Sequence, residues 1–421
     1  MPYEPAVWSI APFALLLALI ALGPLCFSAW WGKYYAKVAL FLAAITLSYY
    51  LFGLPAGARA TIVHTAVEYL GFISLIGSLY IVSGGIHINV KGEATPFANV
   101  VFLLVGAILA NVLGTTGASM LLIRPWLRMN KYRVTAHHVV FFIFIVSNVG
   151  GCLTPIGDPP LFLGYLKGVP FWWVAEHCWQ AWCVGVGGLI AIFYAIDRRN
   201  FARAPRDVSA QETAHEEWRF DGLHNLAFLA LILFAVFQPF GIREALMAAA
   251  ALGSWFTTRR AVHAANDFTF HPIKEVAWLF IGIFATMVPA LQYLERHAGA
   301  LPLHTEMQFF WLTGSLSGVL DNAPTYLAFL AAAFGKYGLN MDSPEDMHTF
   351  IAEHDHLLIA ISIGAVFFGA MTYIGNGPNF MVKAIADQQK VRTPTFLGYV
   401  FKFTIPIMIP MLIVVWWIFF R

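Results

Sequence analysis

Hydrophobic residues in this chain come in blocks, not in the alternating or helical stripes of a half-buried surface. Apolar runs near the length that crosses a bilayer as a helix, about 20 residues, recur from one end to the other. Among them are "PFALLLALIALGPLCFSAWW" (12–31), "WCVGVGGLIAIFYAI" (182–196) and "IPIMIPMLIVVWWIFF" (405–420). The blocks predict spans at roughly 8–29, 34–54, 60–87, 137–168, 171–196, 222–240, 242–258, 273–296, 356–389 and 395–420. Two stretches remain. Residues 97–128 and 306–335 each combine an apolar arm, a polar tip ("GTTG" and "DNAPT") and a second arm too short to cross alone, which predicts re-entrant hairpins. The expected fold class is an all-α polytopic membrane protein with about 10 transmembrane spans plus two re-entrant hairpins.

Polar positions inside the blocks are few and ordered. "SNVGGCLTPIGDPPLF" (147–162) puts Asn148, Asp158 and the pair Pro159 and Pro160 in the middle of a span. Compared with "GAMTYIGNGPNF" (369–380) at a shift of 218, six of twelve positions from Gly151 onward are identical, including Thr154 with Thr372, Gly157 with Gly375 and Pro160 with Pro378. The hairpin tips correspond as well, "LANVLGTTGAS" with "LSGVLDNAPTY", at a shift of 207. Each half then holds three spans, a hairpin, a broken span and a closing span: 1–196 and 222–421, joined by a linker at 197–221. Five crossings are an odd number, so the second half is expected to be inverted relative to the first.

Composition closes off other classes. With 59% hydrophobic residues, 11% charged residues and a mean hydropathy of +0.69, the chain departs far from soluble domains, and no soluble domain of useful size fits between the spans. The first block lacks a small-x-small cleavage pattern and is expected to stay as a helix. Lys33, Lys37, Arg128, Lys131, Arg133, the 198–219 loop, Arg259, Arg260, Lys390 and Arg392 share one side if each hairpin enters and leaves by the same face. By the positive-inside rule that side is the cytoplasm, which puts both termini on the outer face of a cell inner membrane. The net charge of +2 marks no nucleic acid or other acidic partner; the expected partners are small inorganic ions and the lipid bilayer. Cys26, Cys152, Cys178 and Cys183 all fall in predicted membrane segments without disulfide or zinc spacing and are expected to pack. There is no nucleotide-binding loop and no nucleophile triad, so neither an enzyme nor a resident cofactor is expected.

A helix broken inside hydrocarbon leaves backbone groups unpaired, which survives only within protein or beside a watery cavity. Matching breaks in two inverted halves point to a transporter's binding site. The backbone breaks are Gly157, Pro159 and Pro160 in one half and Gly375, Gly377 and Pro378 in the other. The repeat pairs the first tip (Thr115, Thr116) with Thr154 and Asp158, and the second tip (Asp321, Asn322, Thr325) with Thr372 and Asn376, giving two sites with one aspartate each. Asp158 directly precedes Pro159, the usual start of a helix, and reads equally as a ligand or a cap. Asn322 is expected to cap the returning arm and leave Asp321 free. A buried carboxylate can hold a proton or a sodium ion, and hydroxyl, amide and carbonyl oxygens are hard ligands appropriate for Na⁺ or Li⁺. The expected activity is therefore Na⁺(Li⁺)/H⁺ antiport, with Na⁺ at Asp321 and at Asp158. The alternative is a Na⁺- or H⁺-coupled transporter of an anion such as citrate, a dicarboxylate or arsenite. Asn148 reads as a ligand or a backbone patch, and His64 with Glu68 as a proton relay or an interhelical pair. Arg124 and Glu275 are expected to snorkel, and His137 and His138 to be solvated at the boundary.

"NVGGCLTPIGDPPLF", "VLDNAPTYLAFL" and "TYIGNGPNFMV" together resemble the paired hairpin-tip and broken-helix motifs of the ion transporter superfamily. Over nearly the whole chain the order is most similar to its NhaD-type sodium/proton antiporters and its arsenite-permease and citrate-transporter-like members. The resemblance implies a homodimer, with a scaffold and a mobile transport domain that moves like an elevator. The carboxylate-transporting branch carries neutral Ser-Asn-Thr tips in both halves. Here the tips are Gly114, Thr115 and Thr116 in one and Asp321 and Asn322 in the other, a departure that weakens a dicarboxylate assignment.

Overall fold

A computed structural model describes residues 4–91, 94–203 and 218–421. The chain is almost entirely helical, with a single two-stranded antiparallel ribbon of β1 (His87–Asn89) and β2 (Arg219–Asp221) among the described residues. Most of the expected linker lies outside those residues. The first half holds α1 (Ala11–Cys26), α2 (Ser28–Ser48), α3 (Ala58–Gly84), α4 (Pro96–Met129), α5 (Ala136–Ile145), α6 (Pro159–Leu166) and α7 (Trp173–Ala202). After the linker come α8 (Asn225–Val236), α9 (Ile242–Thr257), α10 (Arg260–Ala265), α11 (His271–His297), α12 (Glu306–Ser317), α13 (Asn322–Lys336), α14 (Pro344–Phe368), α15 (Gly377–Gln388) and α16 (Phe396–Phe419).

Eight of the described helices are long and apolar enough to cross a bilayer, which makes this a multi-pass membrane protein. One of the eight does not cross. A straight helix of the length of α4 would be about 50 Å long, yet the Asn99 Nδ2 at its start donates to Asn130 Oδ1 just past its end, at 2.9 Å. The Ala94 amide donates to the Met129 carbonyl at 3.1 Å, and the rings of Phe102 and Trp126 stack at 5.4 Å. α4 is a hairpin. It turns at Gly114, with φ 73° and ψ 155°, a region that costs residues other than glycine about 1–3 kcal/mol. A Cβ there would also stand 3.1 Å from the Ile156 carbonyl oxygen. Gly114→Ala is accordingly expected to lower the apparent melting temperature in detergent, while Gly32→Ala, where a Cβ meets nothing within 4 Å, leaves it unchanged.

The second hairpin, α12 and α13, closes from the opposite side. Lys336 Nζ near the end of α13 donates to the Leu303 and His304 carbonyls at 2.9 and 3.1 Å, so the two arms leave by the face they entered. The base of the first hairpin lies with Arg133 and Asp197; that of the second lies with Asp342 and the end of α6. The stretches expected to cross at 222–240 and 242–258 form helices of only 12 and 16 residues, about 18 and 24 Å against a hydrocarbon core of about 30 Å. The turn joining them packs under the end of α6, where Tyr165 Oη donates to the Val236 carbonyl at 2.8 Å.

Helices that are hydrophobic all round belong in the protein interior. Every residue of Val139–Val146 is 0% exposed, and Leu357–Phe368 at the end of α14 is buried apart from Ile359. These first halves of the two broken spans form the centre of the molecule, and their breaks end between the two hairpin tips.

Candidate functional site

The four interruptions meet at one carboxylate. Thr115 Oγ1, from the first tip, donates to Asp158 Oδ1 at 2.7 Å. Asn376 Nδ2, from the second break, donates to the same oxygen at 2.9 Å, and Asn322 Nδ2, from the second tip, donates to Oδ2 at 2.6 Å. All four residues are buried. The expectation of two separate sites is therefore corrected: both halves supply side chains to a single centre on Asp158. Among the described residues neither Asp158 nor Asp321 has an ion-pair partner.

The two breaks are held open in the same way. Thr154 Oγ1 donates to the Asn111 carbonyl at 2.6 Å and accepts from the Gly157 amide at 3.2 Å. Thr372 Oγ1 donates to the Gly318 carbonyl at 2.7 Å and accepts from the Gly375 amide at 3.2 Å. Asn111 and Gly318 are themselves related by the tip shift of 207. Each break doubles back on a glycine: a Cβ on Gly157 would stand 2.0 Å from the Gly151 carbonyl oxygen, and one on Gly375 2.7 Å from that of Gly369.

Asp158 and Asn376 occupy the N-cap positions of α6 and α15 with near-identical extended backbones (φ −140°, ψ 144° and φ −152°, ψ 141°), and neither side chain caps its own helix. For Asp158 the reason is chemical. The first two residues of α6 are prolines, which carry no N–H, and the next amide, that of Leu161, donates to the Asp158 backbone carbonyl at 3.1 Å, so the carboxylate points across the interface instead. α6 equally offers few amides to an anion.

The expected cap of the second tip is corrected. Asp321, not Asn322, is the N-cap of α13, with Oδ1 accepting from the Ala323 amide at 3.0 Å. Asn322 reaches across to Asp158, and its Oδ1 is buried without a hydrogen-bond partner, an acceptor left over beside the carboxylate. Thr325 donates to the Asp321 carbonyl at 2.9 Å, and the Thr154 and Thr372 hydroxyls donate to backbone carbonyls of the tips. Thr116 lines a cleft of about 20 Å³ beside Asp158, walled by Leu75, Leu79, Ile156 and Phe162, room for about one water molecule.

Asn148 is the backbone patch of its two readings, donating to the Ile143 carbonyl at 2.8 Å and to Asn379 Oδ1 at 2.7 Å and accepting from Asn376. Asn111 and Asn379 do the same work and were not singled out by sequence. Asn111 donates to the Gly150 carbonyl at 2.7 Å and accepts from the Leu153 amide at 2.8 Å; Asn379 donates to the Gly369 and Thr372 carbonyls at 2.8 Å each. Their signal was visible as lone amides inside apolar blocks next to a break.

Other polar residues lie outside the centre. His137 and His138 are not solvated: both are buried beside Asp197, which is also paired through both oxygens with Arg133. Arg124 does not snorkel freely, since its Nε and Nη1 are buried without hydrogen bonds, 3.6 Å from Asp267 in the case of Nε. Glu68 faces His64 at 3.6 Å, but its nearer partner is Lys167 at 2.8 Å. All four cysteines are free; Cys152 and Cys178 are buried, whereas Cys26 and Cys183 lie on the surface.

A family model described as "Putative citrate transport" matches residues 3–420. The chain belongs to this citrate-transport family. Comparison with curated proteins finds no match. Family membership bears out the resemblance to the citrate-transporter-like part of the ion transporter superfamily and makes the protein a transporter. Of the two activities expected from sequence, it lends weight to anion transport over cation exchange alone. The Asp158 centre is the part of this citrate-family fold where both hairpins and both breaks converge.

Proposed function

We propose that the protein is a secondary-active transporter carrying a citrate-class carboxylate anion together with cations, Na⁺ or H⁺, one of which binds at Asp158. The observation that carries this reading is the shell of Asp158, three neutral donors from both halves and, among the described residues, no basic partner. A polycarboxylate approaching a centre that already holds Asp158 and Asp321 is repelled unless positive charge accompanies it. Coupling is then a condition of binding. The free Asn322 Oδ1 and the Asp158 oxygens are hard donors of the kind that hold Na⁺, and a proton on Asp158 neutralises the same charge.

In this reading the matched breaks and tips are two inverted halves of one carrier, and the hairpins with the broken helices move as an elevator within a homodimer. The Arg133 face, where the Lys and Arg residues concentrate, is cytoplasmic, with both termini on the outer face of the inner membrane. Sodium or lithium exchange for protons without an anion is the second reading. It is favoured by the cleft beside Asp158, which fits an ion or a water and not a citrate.

Proteoliposomes separate the two. Uptake of labelled citrate that needs an inward Na⁺ or proton gradient is the expected result. Proton flux triggered by Na⁺ or Li⁺ alone, with no citrate uptake under any gradient, would overturn the anion reading in favour of exchange.

A further inference from the structure

A second cavity lies nearer the face opposite Arg133, at the end of α6. It measures about 390 Å³, against the 20 Å³ of the Asp158 cleft, and falls in the size range of small-molecule sites. Val67, Leu166, Val169, Pro170 and Phe240 form the apolar part of its wall, and His64, Glu68 and Arg243 the polar part.

Arg243 is 8% exposed. Its Nε donates to Glu244 Oε1 at 2.7 Å, while Glu244 Oε2 accepts from the Gly241 amide at 2.6 Å, so that carboxylate is fully used. The two terminal nitrogens of Arg243, with four N–H groups, have no hydrogen-bond partner among the described residues. Gly71 on α3 makes the slot they occupy, since a Cβ there would stand 2.8 Å from Nη2. Glu68, on the cavity wall, shares Lys167 Nζ (2.8 Å) with Asp342 Oδ1 (2.6 Å), one ammonium between two carboxylates. The unspent polar capacity is thus a planar, cationic fork, the geometry that binds a carboxylate through two parallel hydrogen bonds.

Position ties the cavity to the centre. It borders α3 at His64, Val67 and Glu68 and α6 at Tyr165 and Leu166; the Asp158 cleft borders the same two helices at Leu75, Ile76 and Leu79 and at Phe162. The two openings lie along one seam, about 10 Å apart by the rise of α3. We propose that this cavity is a capture site for a small carboxylate anion, gripped by the terminal nitrogens of Arg243 before it passes along the α3–α6 seam to Asp158. The inference rests on the anion-transport reading. It adds a cation-independent first site, where the centre itself requires cations.

The test is equilibrium binding of radiolabelled citrate to purified full-length protein in nanodiscs, in choline buffer without Na⁺. Wild type and Gly32→Ala, where an added Cβ meets nothing within 4 Å, are expected to bind alike, and Arg243→Gln to weaken binding by about tenfold or more, as loss of a charge-assisted fork does. Gly71→Ala, which keeps the arginine but fills its slot, is expected to do the same and decides the matter should Arg243→Gln fail to fold. A rise in melting temperature on adding citrate should appear in wild type and vanish in folded variants. Undiminished binding in folded Arg243→Gln or no cation-free binding by wild type would each overturn the proposal. If wild type binds citrate in this way and proteoliposomes move none, the capture site stands and the transport reading falls.

Discussion

Asp158→Asn is expected to abolish cation-coupled transport, while Asp321→Asn keeps a measurable fraction of it. A unit charge about 4 Å from a cation contributes about 4 kcal/mol at an effective dielectric constant of 20, which is about a thousandfold in affinity. Asp158 can supply that attraction because its oxygens are held by neutral donors only, from Thr115, Asn322 and Asn376. Asp321 has a structural task that asparagine performs equally well, accepting from the first-turn amide of Ala323. The check is initial-rate uptake of labelled citrate in proteoliposomes, with proton flux measured in parallel. A dead Asp321→Asn beside an active Asp158→Asn would sink the assignment.

Arg133→Met is expected to destabilise the protein by about 3–5 kcal/mol, the usual result of leaving one partner of a buried ion pair uncompensated. Asp197 is 0% exposed and takes bonds from both terminal nitrogens of Arg133, with Asn99 Nδ2 at 2.9 Å and the rings of His137 and His138 alongside. The cluster ties the base of the first hairpin to α5 and α7. Thermal unfolding in detergent should show a large drop for the single variant. Adding Asp197→Leu should recover much of it, because a well-packed apolar pair often replaces a buried ion pair without loss. Equal melting of Arg133→Met and wild type would mean that the cluster contributes little.

Much of the architecture was legible in the sequence because a bilayer leaves the chain few options. An apolar block of the right length has to be a helix, so the long crossings could be placed from hydropathy. The hairpins at 97–128 and 306–335 followed from arms too short to cross, and the breaks from glycine and proline where hydrocarbon forbids loose backbone. The chemistry of the centre was not legible. Whether Asp321 or Asn322 caps α13 depends on which of two adjacent residues takes extended φ and ψ, and the order of residues alone leaves both open. The donors to Asp158 come from positions 43, 164 and 218 residues away, and pairing each tip with the break in its own half concealed the crossing between halves. The same distance hid Asp197 from His137 and His138, and Lys167 from Glu68. Asn111 and Asn379 stood out as amides in apolar surroundings, yet only the folded backbone reveals which carbonyls they serve.

The pair Pro159 and Pro160 has a consequence for leakage. Because they withhold two amides and the next two are taken by the Asp158 backbone carbonyl, the bare carboxylate fastens the two hairpin tips and the opposite break to itself. A carrier with nothing bound is then buckled shut and burdened with an unpaired charge, two reasons not to move through hydrocarbon. A cation or proton that cancels the charge also weakens the hold of those three donors. In the proposed coupled mechanism one event would then license motion and unfasten the parts that must move, which would keep an empty carrier from cycling and dissipating the ion gradient.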